Sequence, residues 1–467
     1  MASTANYAPG DFRHLTFHDA VPRFVDGTDN PRAYLERCLE TIEAREPIVR
    51  GWAHLAPDLA RASADEATER YRAGRPLSLI DGMPIGVKDL FETRDMPTQM
   101  GSEAFAGNFP RRDSPSIRAL REAGAVIVGK TVTTELGMAH PGPTTNPFHP
   151  DHTPGGSSSG SGAVIGAQMV PAAIGSQVGG SLIRPASYCA NFGLKPTLGA
   201  INRGERMGLS QATMGVHAGS VEDMWQVAIE MVKRAGGDVG QPGLYGPSEP
   251  PAPRRPDTLI VLETEGWALL DSASVEAAER YLSNLSRAGV RLLRRSDHPL
   301  IEDFERTIAA AKAITNDINS FEMRWNTLNL FEQYPDKLSE RILARMRSGQ
   351  VISLDTYRHL LSQREVGRQK LAALAHLADG LIGVSATGPA PVWERDRPGA
   401  PLPKAPTGDY ACNAATSLLG APAVTVPVLG VRGLPLGMQI VGQPHDDARI
   451  TAIAAWAVKT VAPVSVD

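Results

Sequence analysis

Residues 153 to 162 read Thr153-Pro-Gly-Gly-Ser157-Ser-Ser-Gly-Ser-Gly162. They run on into Ala163-Val-Ile-Gly-Ala and are followed by Gly175-Ser-Gln-Val-Gly-Gly180-Ser181-Leu-Ile-Arg184-Pro185. A tract this rich in glycine and serine would ordinarily be a flexible linker. Here it leads without a break into apolar sequence, so it belongs inside a folded body rather than between two of them. The whole span 141–193 is dominated by Gly, Ser and Pro, and it is too long and too patterned for a simple turn. Paired glycines just before Ser181 let successive backbone N–H groups converge on one point, the geometry an oxyanion hole requires.

On the N-terminal side lies Gly82-Met-Pro-Ile-Gly-Val-Lys88-Asp89, in which Met83 to Val87 reads as a short strand. Ser116 to Ala123 reads as a helix and Ala125 to Val128 as a buried strand. Gly124-Ala-Val-Ile-Val-Gly129-Lys130-Thr131 matches a phosphate-loop pattern, but such a loop must follow a strand and be a flexible cradle of N–H groups. Here a helix precedes it and its interior is apolar and β-forming, so a strand bounded by glycines is expected. Further upstream, residues 30 to 75 read as helices. Asn30 suits a cap, Pro31 the first helical position, and Leu35, Cys38, Leu39 and Ile42 share one face.

Downstream, the Pro/Gly-rich segment 236–257 is the best linker candidate and is expected to be an exposed loop. A strand follows at Leu259 to Leu262, then a helix from Ser274 to Arg287 closed by Gly289. Residues 300 to 378 read as mostly helical, Ala423 to Val428 and Met438 to Val441 as strands, and a last helix carries Ile450, Ile453, Ala454 and Ala457 on one side. No internal repeat is visible. Strands near both ends of the chain imply one sheet that gathers distant segments. The expected class is therefore α/β, with a single domain over 1–467: a helical layer at 1–75, a core at 76–235, the loop at 236–257 and the rest of sheet and cap at 258–467.

Composition narrows the function. The 467 residues carry a net charge of −4, 21% charged and 42% hydrophobic residues, which argues against a basic nucleic-acid or anionic-membrane binder and against disorder. Gly and Pro together make about 18% of the chain, a sign of many loops. Three cysteines, Cys38, Cys189 and Cys412, form no C-x-x-C pair, so a reducing cytoplasmic setting fits better than a disulfide framework. No signal peptide, no membrane span and no metal-ligand spacing among the eleven histidines is legible.

A nucleophilic serine needs a base, normally a histidine held by a carboxylate. Neither serine segment contains a histidine. The nearest plausible base is Lys88, because a lysine just after an apolar strand can be buried, and burial favours its neutral form. Together these segments resemble the amidase signature family, serine hydrolases with a Ser–cis-Ser–Lys triad. The similarity covers most of the chain: the Lys88 segment, Leu120 to Thr131, Asn146 to Gly162, Gly179 to Pro185, Gly193-Leu-Lys-Pro196, and the closing strands Gly420 to Pro427 and Gly433 to Gly442.

The resemblance implies a large mixed twisted β-sheet core covered by helices on both faces. It implies Ser181 as nucleophile, Ser157 after a cis peptide bond as the bridging serine, and Lys88 as base. The N–H groups of Val178, Gly179, Gly180 and Ser181 would form the oxyanion hole. Three positions depart from the family pattern: Gln177 where an acidic residue is common, Ala190 where glycine is usual, and Val132 where asparagine is common. Arg184 stands three residues after Ser181, where in relatives acting on small carboxylate-bearing amides it binds the carboxylate; a salt bridge behind the site is the alternative. Cys189 is expected to be a packed thiol. The reaction implied is hydrolysis of a linear carboxamide through an acyl-serine, with no cofactor, no metal, and no partner beyond a small amide substrate and, at most, a second copy in a homodimer. The runner-up is the glutaminase subunit of a tRNA-dependent amidotransferase, against which the arginine offset speaks. Pocket walls are expected from 138–144, 300–330 and 385–410.

Overall fold

The computed structural model describes residues 6–138, 140–205, 208–394, 396 and 401–467. The expectation about a leader at the N-terminus, and part of the expected wall segments 138–144 and 385–410, therefore lie outside the described residues.

Among the described residues twelve strands form one sheet: β1 (Trp52–Leu55), β2 (Pro84–Lys88), β3 (Val126–Thr131), β4 (Ala172–Gln177), β5 (Phe192–Lys195), β6 (Thr213–Ala218), β7 (Thr258–Val261), β8 (Arg291–Leu293), β9 (Gly380–Val384), β10 (Ala423–Val431), β11 (Leu434–Val441) and β12 (Val464–Val466). Their spatial order is β1-β3-β2-β4-β6-β5-β10-β11-β9-β7-β8, with β12 paired to β10. Pairing is mixed: β2 runs parallel to β3 and β4, while β4, β6, β5, β10, β11 and β9 alternate antiparallel. Segments from both ends of the chain do meet in this sheet.

Helices cover both faces, and the two-residue period of the strands decides which side chain goes where. On β3, Val126 and Val128 pack with Leu35, Ile42, Ala60 and Ala163, whereas Ile127 faces the opposite core. On β10 and β9, Ala423 and Leu381 join the layer of Ile301, Phe304 and Leu418, while Val424 and Ile382 join Trp225, Tyr281 and Ile453. Strands buried on both faces read as near-continuous apolar runs, which is why 423–428 and 438–441 are recognisable as strands. Both are longer than expected, joined by a two-residue turn in which Arg432 (φ 49°) and Gly433 (φ 71°) take the left-handed conformations of a tight hairpin.

The reading of 30–75 as wholly helical needs correction. Asn30 caps the Pro31–Val49 helix, its side chain accepting from the Ala33 N–H, but β1 interrupts before the Pro57–Arg72 helix. The carboxylate of Glu46 accepts the N–H groups of Gly51 and Trp52 and turns the chain into β1, which pairs antiparallel with β3. Only Trp52 of these four residues is buried, so β1 leaves no apolar run in the sequence. The phosphate-loop match is a strand: Lys130 on β3 is fully buried, 2.9 Å from the Asp89 carboxylate and 2.7 Å from Thr98 Oγ1. No helix among the described residues is long and apolar enough to cross a membrane.

Candidate active site

β2 and β4 lie side by side in parallel, with Val87 opposite Ile174. That register brings Lys88, the last residue of β2, beside Ser176 near the end of β4. The Ser159–Gly166 helix packs against the same strands, so the serines at its start reach the same point. Lys88 Nζ lies 2.7 Å from Ser157 Oγ, 2.9 Å from Ser176 Oγ and 3.0 Å from Ser158 Oγ. Lys88 is fully buried and no carboxylate among the described residues pairs with it, so burial holds its ammonium well below the ordinary lysine pKa. His217 on β6 is also fully buried; burial, then the charge of Lys88, pushes its pKa down to about 3.

The Gly156–Ser157 peptide bond is cis. Ser158 ties the two serine segments together, its N–H donating to the Ser181 carbonyl at 3.2 Å. Glycines make the close approaches possible: a Cβ on Gly160 would stand 2.2 Å from the Gly51 carbonyl oxygen and 2.4 Å from the Val132 nitrogen.

Between β4 and the short helix Ile183–Tyr188 runs the loop of Val178, Gly179, Gly180 and Ser181. None of these four N–H groups donates a hydrogen bond among the described residues, and all four residues line one cavity. Ser181 is half-buried there and its hydroxyl is not tied to another group among the described residues. The cavity, about 830 Å³, also opens onto Ser157 and Ser176. The structure thus brings Lys88, Ser157, Ser181, Val178, Gly179 and Gly180 together.

Arg184 is buried at 4% exposure. Its Nε donates to the Thr407 carbonyl at 2.8 Å, and its Nη2 donates to the Gly156 carbonyl at 2.6 Å and to Thr407 Oγ1 at 3.0 Å. Nη1 has no partner among the described residues, and Arg184 is part of the cavity wall. The alternative of a salt bridge is not met among the described residues, where backbone carbonyls and a hydroxyl take the place of a carboxylate.

Of the expected wall segments, Met138, residues from Lys312 onward and residues 404–410 line the cavity. Leu90, Met100, Phe105, Leu209 and Arg345 join them from outside those segments. Ser158 and Ser176 are two further polar neighbours of Lys88 that sequence reasoning does not find. A run of serines carries no signal for which hydroxyls turn toward Lys88, since that depends on the pairing of β2 with β4. Cys189 is a buried free thiol, with its pKa pushed up by burial, as expected of a packed residue.

The amidase family profile matches residues 33–451. The chain is 30% identical, over 95% of its length and 96% of the relative's, to a Glutamyl-tRNA(Gln) amidotransferase subunit of Chloroflexus aurantiacus. It is equally 30% identical, over 92% of its length and 93% of the relative's, to a Mycobacterium bovis protein named as an amidase, AmiB2. The fold is that of the peptide amidase from Stenotrophomonas maltophilia, with a TM-score of 0.78 over 98% of this chain and 99% of that one at 23% identity.

Proposed function

The chain belongs to the amidase family, hydrolases of carbon–nitrogen bonds in amides, and from that footing we propose that it cleaves a linear carboxamide to a carboxylate and ammonia or amine through an acyl-Ser181 intermediate. The observation that carries this is the buried Lys88 ringed by three serine hydroxyls beside a loop with four undonated N–H groups.

A neutral amine offers two N–H donors and one lone pair, so among three hydroxyl neighbours one must donate to it. The Ser158 hydroxyl already donates to the Ser176 carbonyl, 3.2 Å away, so it accepts from Lys88. Ser157, the nearest at 2.7 Å, is then suited to give its proton to the lone pair. Lys88 takes the proton of Ser157, Ser157 takes that of Ser181, and Ser181 Oγ attacks the carbonyl carbon. The tetrahedral oxyanion is held by the N–H groups of residues 178 to 181, each such donor elsewhere worth about 3–4 kcal/mol. Ser157 returns a proton to the leaving nitrogen. Water then attacks the acyl-Ser181 ester, the proton passing back along the same relay, and the carboxylate leaves. No step calls for a cofactor or metal. The free Nη1 of Arg184 supports a substrate carboxylate at that end of the cavity. The three cysteines, free and buried, support a reducing, cytoplasmic setting.

The test is a panel of amides varied in size and charge, reading released ammonia or amine with wild type and Ser181→Ala; release that persists unchanged in the variant ends the proposal. A second reading, the glutaminase subunit of a tRNA-dependent amidotransferase, draws on the 30% identity to the Chloroflexus amidotransferase chain. It requires partner subunits, and glutamine hydrolysis that rises on adding them would favour it over a free-standing amidase.

A further inference from the structure

Besides the Ser158 and Arg184 N–H groups, which donate to the Ser181 and Gly180 carbonyls, one neutral side chain holds the loop that carries Ser181 and the N–H groups left undonated among the described residues. Gln177, the last residue of β4 and fully buried, accepts the N–H groups of Leu182 and Ile183 at its Oε1, each at 3.0 Å. Its Nε2 donates to Ser417 Oγ at 3.0 Å, and the Ser417 hydroxyl donates to the Gly179 carbonyl at 2.7 Å. Two backbone donors fix which end of the amide is oxygen, and that fixes the direction of every proton in the chain. The relay grips the loop in its middle, at Gly179, and just beyond its end, at Leu182 and Ile183. The Ala411–Leu419 helix, which supplies Ser417, is the fixed point.

We propose that Gln177 is a positioning residue for the oxyanion donors, and that its neutral amide serves because, unlike an ionised carboxylate, it accepts from the loop and donates to Ser417 at once. The proposal rests on the reading of residues 178 to 181 as the oxyanion hole beside nucleophilic Ser181. A glutamate would keep the Leu182 and Ile183 bonds but could not donate. The Ser417 proton would turn to the carboxylate and release the Gly179 carbonyl, so that the Gly179–Gly180 peptide, and with it a donor N–H, would lose its aim. Protonating that glutamate restores an O–H donor, and burial raises its pKa into the accessible range.

The experiment compares Gln177→Glu, Gln177→Ala and Ser417→Ala with wild type on one amide substrate, with Ser181→Ala as control and thermal melts to show folding. Expected for Gln177→Ala and Ser417→Ala is a kcat lowered about 10- to 100-fold, below the 100- to 1,000-fold of deleting a donor outright, with KM moved less than about threefold. Expected for Gln177→Glu is a kcat ratio to wild type that rises as pH falls. Taking the ratio removes the titration of Lys88, and a merely structural role would leave it flat. A pH-independent ratio for Gln177→Glu, or wild-type kcat in Gln177→Ala, overturns the proposal; if Gln177→Ala does not fold, the isosteric Gln177→Glu ratio decides alone. Turnover that survives Ser181→Ala would instead show that the underlying site reading had failed.

Discussion

Lys88 Nζ and Ser157 Oγ stand 2.7 Å apart in a pocket that holds no carboxylate partner for the lysine among the described residues. The proton affinity of Lys88 is therefore set by burial, which favours the neutral amine. The sign follows from the proposed relay: its active form is deprotonated, so activity should be lost as pH falls through the lowered pKa and hold on the alkaline side. The acid limb of kcat/KM should lie well below the ordinary lysine value of about 10.4, and Lys88→Ala should cost about 100- to 10,000-fold. Activity that rises only above about pH 10 would contradict a depressed lysine base.

Ser181→Ala should reduce turnover to background, a loss of at least about 10,000-fold, and should abolish labelling by a fluorophosphonate probe. Ser157→Ala should retain slow labelling, because Ser181 would remain as the acceptor while losing its route to Lys88. Equal labelling of wild type and Ser181→Ala would place the acyl group on another residue.

Gly160→Ala should unfold or strongly destabilise the protein. The added methyl would stand 2.2 Å from the Gly51 carbonyl oxygen and 2.4 Å from the Val132 nitrogen, both backbone atoms that cannot step aside. Overpacking of this kind costs about 1–3 kcal/mol and sometimes more. Thermal or denaturant unfolding measures it, and an unchanged melting temperature would mean that the helix at 159–166 can slide.

The serine segments and Lys88 are legible in the sequence because close backbone approach demands glycine and a buried lysine follows an apolar strand. The long apolar runs of β10 and β11 are legible because both faces of these strands are buried. β1, β8 and β12 are not, since exposed or half-buried residues interrupt each of these short strands and leave no apolar run. Ser158, Ser176 and the Gln177 relay depend on strand register and on a helix 240 residues away, at Ser417, and no local pattern encodes either. Ala190 stands out as a departure from glycine, and its φ of 53° shows why glycine is usual there.

Lys195 on β5 gives a stability prediction independent of catalysis. It is buried, and burial lowers its pKa to about 7. Between about pH 7 and the unfolded value near 10.4, the unfolded chain holds a proton that the folded one lacks. Wild-type stability from this group is therefore complete above the unfolded pKa and declines as pH falls toward 7, by at most about 1.4 kcal/mol per pH unit. Lys195→Met lacks this decline, so its stability relative to wild type should rise from pH 10 to pH 7. Parallel unfolding curves across that window would show that Lys195 remains charged in the fold.

On the proposed reading Arg184 has two tasks that one substitution can separate. Its Nε and Nη2 hold Thr407 and the Gly156 carbonyl next to Ser157, whereas Nη1 is buried without a partner among the described residues. Loss of the first task slows every substrate alike, because it loosens the bridging serine. Loss of the second penalises only substrates that bring a carboxylate to Nη1. Lysine keeps the charge but not the planar fork that serves both. In Arg184→Lys, kcat should fall for a neutral amide and a matched anionic amide in common, while kcat/KM for the anionic one should fall by a further 10- to 100-fold or so, the scale of a charge-assisted hydrogen bond worth about 1.5–3 kcal/mol. The measurement is the anionic-to-neutral ratio of kcat/KM in wild type and variant. If that ratio is unchanged while both rates fall, Arg184 acts only as a strap on Gly156 and Thr407, and the substrate carboxylate must be read elsewhere or be absent.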